Sequence, residues 1–138
     1  MSEIKVDTLT GKTTANDITV TVGATATMSL EQGLAKVWAN NELSGTASVQ
    51  DSFNQSSISD DAQGKLTMSF STAMSNANYS PAGMSVNASG ATAYASSVHI
   101  GATMSTTQLQ VYFAYTDPTS GAWYDVPKSG VTINGDLA

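Results

Sequence analysis

The chain has 138 residues, no cysteine, no arginine and a formal net charge of −6. Without cysteine there are no disulfides and no thiol chemistry. The lysines are scattered at Lys5, Lys12, Lys36, Lys65 and Lys128 and cannot neutralise a run of phosphates, which excludes nucleic acid as a partner.

Charged residues make up only 12% of the chain, against roughly 25% in ordinary soluble domains. Its 19 serines and 18 threonines together exceed a quarter of it. A surface polar by hydroxyl and amide favours β-structure with tight turns. It also suits a protein that packs against copies of itself or stands on an extracellular or virion surface. Residues 1–20 hold no apolar run of seven or more, and no stretch is long and apolar enough to span a bilayer. A chain made in soluble form, without membrane insertion, is the expectation.

Residues 1–11 alternate, with Ile4, Val6 and Thr8 on one side, as in a short strand or extended arm. After a turn at 10–12, residues 17–22 alternate again and end at Gly23. Two strands of this length bury too little to stand alone and need other copies of the arm, the helix or a docking protein; residues 1–28 are expected to form a β arm that docks to another protein, the alternative being that it packs on its own C-terminal domain.

Residues 29–41 read as a short helix. Ser29 is a suitable N-cap, and Gln32 three residues later completes a capping box. Glu31 lies at the positive end of the dipole and Lys36 towards the other. Leu30, Leu34, Val37 and Asn41 follow one another at steps of four, three and four, the spacing of a coiled-coil seam, and Trp38 widens it. So short a helix is marginal in water, and Gly33 weakens it by about 1 kcal/mol. Its stripe must be covered either by the β-rich part of the same chain or by the same stripe on sister chains. We favour sister chains, with Leu30, Leu34, Val37, Trp38 and Asn41 as the interface of a trimeric neck.

Residues 42–138 carry seven or eight short strands at eight-to-twelve-residue spacing, the pattern of an antiparallel β-sandwich. Expected strands include 46–50, 57–59, 65–70, 94–100, 107–115, 123–126 and 131–133. Asp51-Ser52 and Asp60–Gly64 read as turns, with Gly64 supplying positive φ. Leu66, Met68 and Phe70 share one face. In 107–115 the inward set is either Leu109, Val111 and Phe113 or the alternate one containing Tyr112.

Catalytic candidates are few. His99 is the single histidine, and with no cysteine or second histidine the zinc and Ser-His-Asp constellations have too few members. Asp60-Asp61 lacks the patterned oxygen ligands of a calcium loop and reads as a solvated turn. No phosphate-binding glycine loop is present. We expect neither an enzyme nor a cofactor. Tyr112, Tyr115, Trp123 and Tyr124 lie in or near one hairpin, and rings of this kind serve as contact anchors when they face out. The alternative is that Trp123 joins Phe113 in the core and the tyrosines are ordinary surface.

An ordered series of segments carries a resemblance. It runs through Gly33-Leu34-Ala35-Lys36-Val37-Trp38, Gly45-Thr46, Asp51-Ser52-Phe53-Asn54, Ser57-Ile58-Ser59-Asp60, Thr67-Met68-Ser69-Phe70-Ser71 and Met74-Ser75-Asn76-Ala77-Asn78-Tyr79. This series resembles a segment common in tail-fibre proteins of tailed phages, especially those of marine bacteria and cyanobacteria. The opening Ile4–Thr13 is similar to the start of repeats or stems in such proteins. The resemblance implies a homotrimeric virion fibre protein with a C-terminal head facing the host; it supplies no binding residues.

Together these readings predict a mainly β chain: an arm over 1–28 attached to another virion protein, a helical trimeric neck over 29–41, and a β-sandwich head over 42–138. The head would contact a host-surface molecule, such as a glycan, through Tyr112, Tyr115, Trp123 and Tyr124. The competing expectation is a structural capsid decoration, head-fibre or baseplate component that reads no receptor.

Overall fold

A computed structural model describes residues 4–12, 18–22, 25–86, 95–116 and 121–138. The described residues are all β, with no helix, and the strands pair antiparallel throughout. The chain divides into two compact units, residues 1–34 and 35–138.

In the first unit, β1 (Thr19–Val22) pairs with β2 (Ala26–Ser29) as a hairpin, with Thr19 opposite Ser29 and Val22 opposite Ala26. Of the short strand or extended arm expected over 1–11, the described residues 4–12 carry no strand. Gly23, expected to end the second strand, lies outside the described residues.

The helix expected over 29–41 is absent. Ser29 closes β2, and the Leu30 amide donates to the Ile18 carbonyl at 2.7 Å, extending the hairpin. The capping signals produce one turn only, in which Gly33 donates to the Ser29 carbonyl at 3.3 Å and Leu34 to that of Glu31 at 3.1 Å. From Val37 the chain is β3 (Val37–Glu42). Val37, Ala39, Asn41 and Leu43 are buried, and Trp38 between the first two is exposed. A period of two therefore prevails over the 3.5-residue seam. Its residues are dispersed: Leu30 and Leu34 belong to the first unit, Leu34 is exposed, and Val37 and Asn41 are interior to the second. The neck has no seam on which to assemble.

The second unit holds nine strands among its described residues. β4 (Ser48–Phe53), β3, β11 (Lys128–Asn134) and β7 (Ser80–Val86) form a four-stranded sheet in that order. The other sheet has five strands. Its β9 (Gln108–Thr116) lies between β8 (Ala95–Met104) on one side and β6 (Lys65–Phe70) and β10 (Gly121–Trp123) on the other, and β5 (Gln55–Ala62) lies beyond β6. Pro81, which has no amide to donate, sits on β7 at the edge of its sheet.

Several boundaries differ from the sequence reading. Asp51-Ser52 lies within β4, and Asp60-Asp61 within β5. The expected turn survives as Gln63-Gly64, with Gly64 at φ 66°. The turns expected at Ser89-Gly90 and Asp117–Ser120 lie outside the described residues.

Both sheets contribute to one core. Val37, Ala39, Val131 and Ile133 from the first, and Leu66, Met68, Phe70, Leu109, Val111 and Phe113 from the second, belong to a single buried cluster. The Leu109, Val111 and Phe113 set is thus the inward one. Tyr79 closes one end, its hydroxyl donating to the Gln108 carbonyl at 3.0 Å and its ring meeting Phe70 edge-on at 5.8 Å.

Two polar devices link the sheets. Asn54, at φ 59°, turns the chain from β4 into β5. Its side-chain amide donates to the Lys36 and Thr72 carbonyls, both at 3.1 Å, and its oxygen accepts from the Thr72 amide at 2.6 Å. Nearby, the buried Asn41 of one sheet exchanges side-chain hydrogen bonds of 2.9 and 3.3 Å with Gln55 of the other.

Two stability predictions follow from this packing. Asn41→Ala leaves the partly buried Gln55 amide without this partner and is expected to cost about 1–3 kcal/mol. Adding Gln55→Ala to it is expected to cost less than about 1 kcal/mol more, because the pair acts as a unit; denaturant unfolding of the parent, the single and the double variant measures both. Gly64→Ala would place a methyl 2.6 Å from the Phe113 carbonyl oxygen at a positive φ. Its expected cost is about 2 kcal/mol or more by the same measurement.

Candidate functional site

The outward side of the five-stranded sheet is set by the alternation that buries Leu109, Val111 and Phe113. It sends Gln108, Gln110, Tyr112 and Ala114 of β9 to the other face. Across the register, Tyr112 lies beside Lys65 and His99, and Ala114 beside Trp123. The result is an aromatic cluster on a sheet otherwise rich in hydroxyl and amide groups.

Trp123 is the centre of this cluster. Its ring meets Tyr112 edge-on at 5.2 Å and His99 edge-on at 6.2 Å. The Lys65 ammonium stands 5.2 Å from the centre of the Tyr112 ring, within the range of a cation–π contact. Trp123 nevertheless leaves 42% of its surface in solvent. It is held by two rings set nearly perpendicular to it and remains partly open to solvent.

A polar chain extends from this cluster. The Tyr112 hydroxyl donates to Gln110 Oε1 at 2.9 Å, and Gln110 Nε2 donates to Asp61 Oδ2 at 2.9 Å. Thr67 Oγ1 donates to the same carboxylate oxygen at 2.6 Å. Burial works to raise the Asp61 carboxyl, but hydrogen bonds from Thr67, Gln110 and Ser59 together outweigh it and hold the group below the ordinary carboxylate range.

The four ring positions singled out from the sequence fall on two faces. Tyr112 and Trp123 stand together on the outer side. Tyr115 and Tyr124 pair edge-on at 5.9 Å, and Tyr124 packs against the core cluster. Their alternation with Tyr112 and Trp123 places them on the core side. Sequence reasoning missed His99, Lys65, Gln110 and Asp61 as companions of the outer pair. The single histidine was visible, but its place beside Trp123 depends on the β8–β9 and β9–β10 registers, which no local pattern sets. Among the described residues, no group of three or more His, Cys, Asp or Glu could hold a metal ion.

Compared with known proteins, the chain matches no family model, no curated protein and no solved structure.

The Asp61 network has a pH signature. A carboxyl whose folded value is depressed contributes its stabilisation above the unfolded value and loses it as pH falls through the folded one. Asp61→Asn is accordingly expected to lower the melting temperature near neutral pH. The gap between variant and parent should close as pH drops below about 4. Melting curves across a pH series read this out, and a gap that widens in acid would contradict the assignment.

Proposed function

We propose that this chain is a surface module of a phage particle, and that the outer face of its five-stranded sheet binds a carbohydrate of the host surface. The observation that carries the binding reading is Trp123: a large ring fixed by Tyr112 and His99 yet open to solvent. An aromatic face pre-set in this way offers an apolar surface to the C–H side of a sugar ring at little entropic cost. Gln110, Asp61 and Lys65 supply donors and acceptors within the same face, the combination of apolar platform and few placed polar groups that orients a small ligand.

The resemblance of residues 33–79 to tail-fibre segments supports a place on the virion. So does a surface rich in Ser and Thr and poor in charge. Residues 35–138 take the part of the head, which we read as a β-sandwich because its two sheets share one core. Residues 1–34 take the part of the segment that docks to another virion protein. The homotrimer expected from the sequence relied on the helical seam, and without that seam it does not enter this proposal.

A second reading is a structural virion component that recognises no receptor. It is favoured by one specific feature, the exposed Trp38, Phe53, Met84 and Val86 on the four-stranded sheet, side chains that suit contact between proteins.

Trp123→Ala separates the two readings. On an array of bacterial surface polysaccharides, the carbohydrate reading expects binding to fall at least about tenfold, equivalent to about 1.4 kcal/mol, with the melting temperature nearly unchanged. Tyr124→Ala is expected to do the reverse, lowering stability and sparing binding. Equal binding by the parent and Trp123→Ala would overturn the assignment of the site.

A further inference from the structure

β5, β6, β8 and β9 share one hydrogen-bonded relay on the outer face of their sheet, and both of its ends are fixed in kind. At one end stands the Asp61 carboxylate on β5. Ionised, it can only accept, and its Oδ2 accepts from Thr67 Oγ1 at 2.6 Å and from Gln110 Nε2 at 2.9 Å. At the other end stands the backbone N–H of Ala102 on β8. It can only donate, and it does so to Gln110 Oε1 at 3.2 Å.

Gln110 lies between these ends and has one workable orientation. Turning its amide over would set Nε2 against the Ala102 N–H and Oε1 against the Asp61 carboxylate, donor to donor and acceptor to acceptor. Packing holds the same side chains in place. The register of β8 against β9 shifts between Ile100 and Met104. Within that shift Gly101 lies so close that a Cβ on it would come within 2.7 Å of Gln110 Cγ and 2.8 Å of Tyr112 Cε1.

The consequence falls on Tyr112. Its hydroxyl stands 2.9 Å from Gln110 Oε1, an atom that only accepts, so Tyr112 gives its hydrogen to Gln110. A phenol has no second hydrogen. Its oxygen is left with lone pairs alone to offer a ligand.

We propose that Tyr112 determines the specificity of the carbohydrate face: its oxygen serves only as an acceptor and selects a sugar with a free hydroxyl next to the ring carried on Trp123. The Tyr112 and Trp123 rings meet edge-on with their centres 5.2 Å apart, so a sugar seated on Trp123 lies beside Tyr112. A hydroxyl at that position donates to the Tyr112 oxygen. The same position masked as an ester or ether brings lone pair against lone pair and leaves the desolvated oxygen unpaired. Asp61 and Gln110 act through Tyr112 as positioning residues. This selection rests on the carbohydrate reading and adds to it the chemistry of the sugar.

Bacterial surface polysaccharides printed in native form and after chemical O-acetylation test it on the full-length chain. Acetylation converts hydroxyl donors into acceptors and keeps the sugar rings. On the polysaccharides that the parent binds, it should weaken binding at least about fivefold, the worth of one hydrogen bond. Tyr112→Phe keeps the aromatic ring and removes the oxygen. Its binding to the native form should fall by about the same fivefold. Its penalty for acetylation should shrink by that factor, because both changes delete one contact. Equal acetylation penalties in the parent and in Tyr112→Phe would overturn the proposal while leaving binding through Trp123 in place. A parent that binds no polysaccharide would overturn it together with the carbohydrate reading. A second measurement needs neither ligand nor variant, and decides the matter should Tyr112→Phe fail to fold. In NMR spectra of the parent, the side-chain amide protons of Gln110 should show stronger Overhauser contacts to the Thr67 side chain than to the Ala102 amide proton. The reverse pattern would leave Tyr112 a hydrogen to offer its ligand and would overturn the proposal.

Discussion

The second unit depends on a single corner. Residue 54 must carry the chain out of one sheet and into the other between Phe53 and Gln55, and it does so at φ 59°. That conformation is unfavourable for most side chains and tolerable for asparagine, whose short amide can bond locally. Here the amide reaches Lys36 at the entrance to β3 and Thr72 just after β6. Three segments are thereby fixed at one point. β4 and β5 can then face each other beside a core of Leu, Met, Val and Ile side chains joined by Phe70, Tyr79 and Phe113. The Asn41–Gln55 pair sits one residue beyond the same corner and repeats the tie from inside. At the opposite edge, β7 and β8 approach closely enough that a Cβ on Gly83 would come within 2.9 Å of Val98 Cγ1.

Much of the fold was legible as a period of two. Leu66, Met68 and Phe70 read as one face and are one face, and Leu109, Val111 and Phe113 formed one of two alternatives that only the opposing sheet could decide. The helix was misread for a physical reason. Ser29, Glu31 and Gln32 are strong local signals, and they do form a turn. The apolar residues after them, however, satisfy spacings of both two and three to four. Val37, Ala39 and Asn41 bury completely as a strand, and tertiary burial outweighs the preference of a few capping residues. Asp60-Asp61 was misplaced similarly. Two acids beside a glycine resemble a turn, yet the register irregularity between Asp60 and Ala62 lets both stay in β5.

The candidate site was half legible. Composition and spacing drew attention to Tyr112, Tyr115, Trp123 and Tyr124, but residues on one hairpin alternate between faces, and the hairpin divides the set. What gathers Trp123, Tyr112, His99 and Lys65 is pairing among four strands, β6, β8, β9 and β10, distributed over some sixty residues of chain. Such a constellation has no signature in any window of sequence. Its rigidity comes from the same source, since each ring is held by a neighbouring strand and not by a loop.

One of the two outer strands of the five-stranded sheet, β5, has a consequence for crowding. β5 is eight residues long and would offer a row of unpaired backbone groups to any passing chain. Its ladder is interrupted near both ends, between Gln55 and Ser57 and between Asp60 and Ala62, and the second interruption carries two adjacent acids. A distorted, negatively charged rim is a poor template for a further strand. Along this margin, neighbouring chains at high local density are therefore kept from zipping together strand to strand.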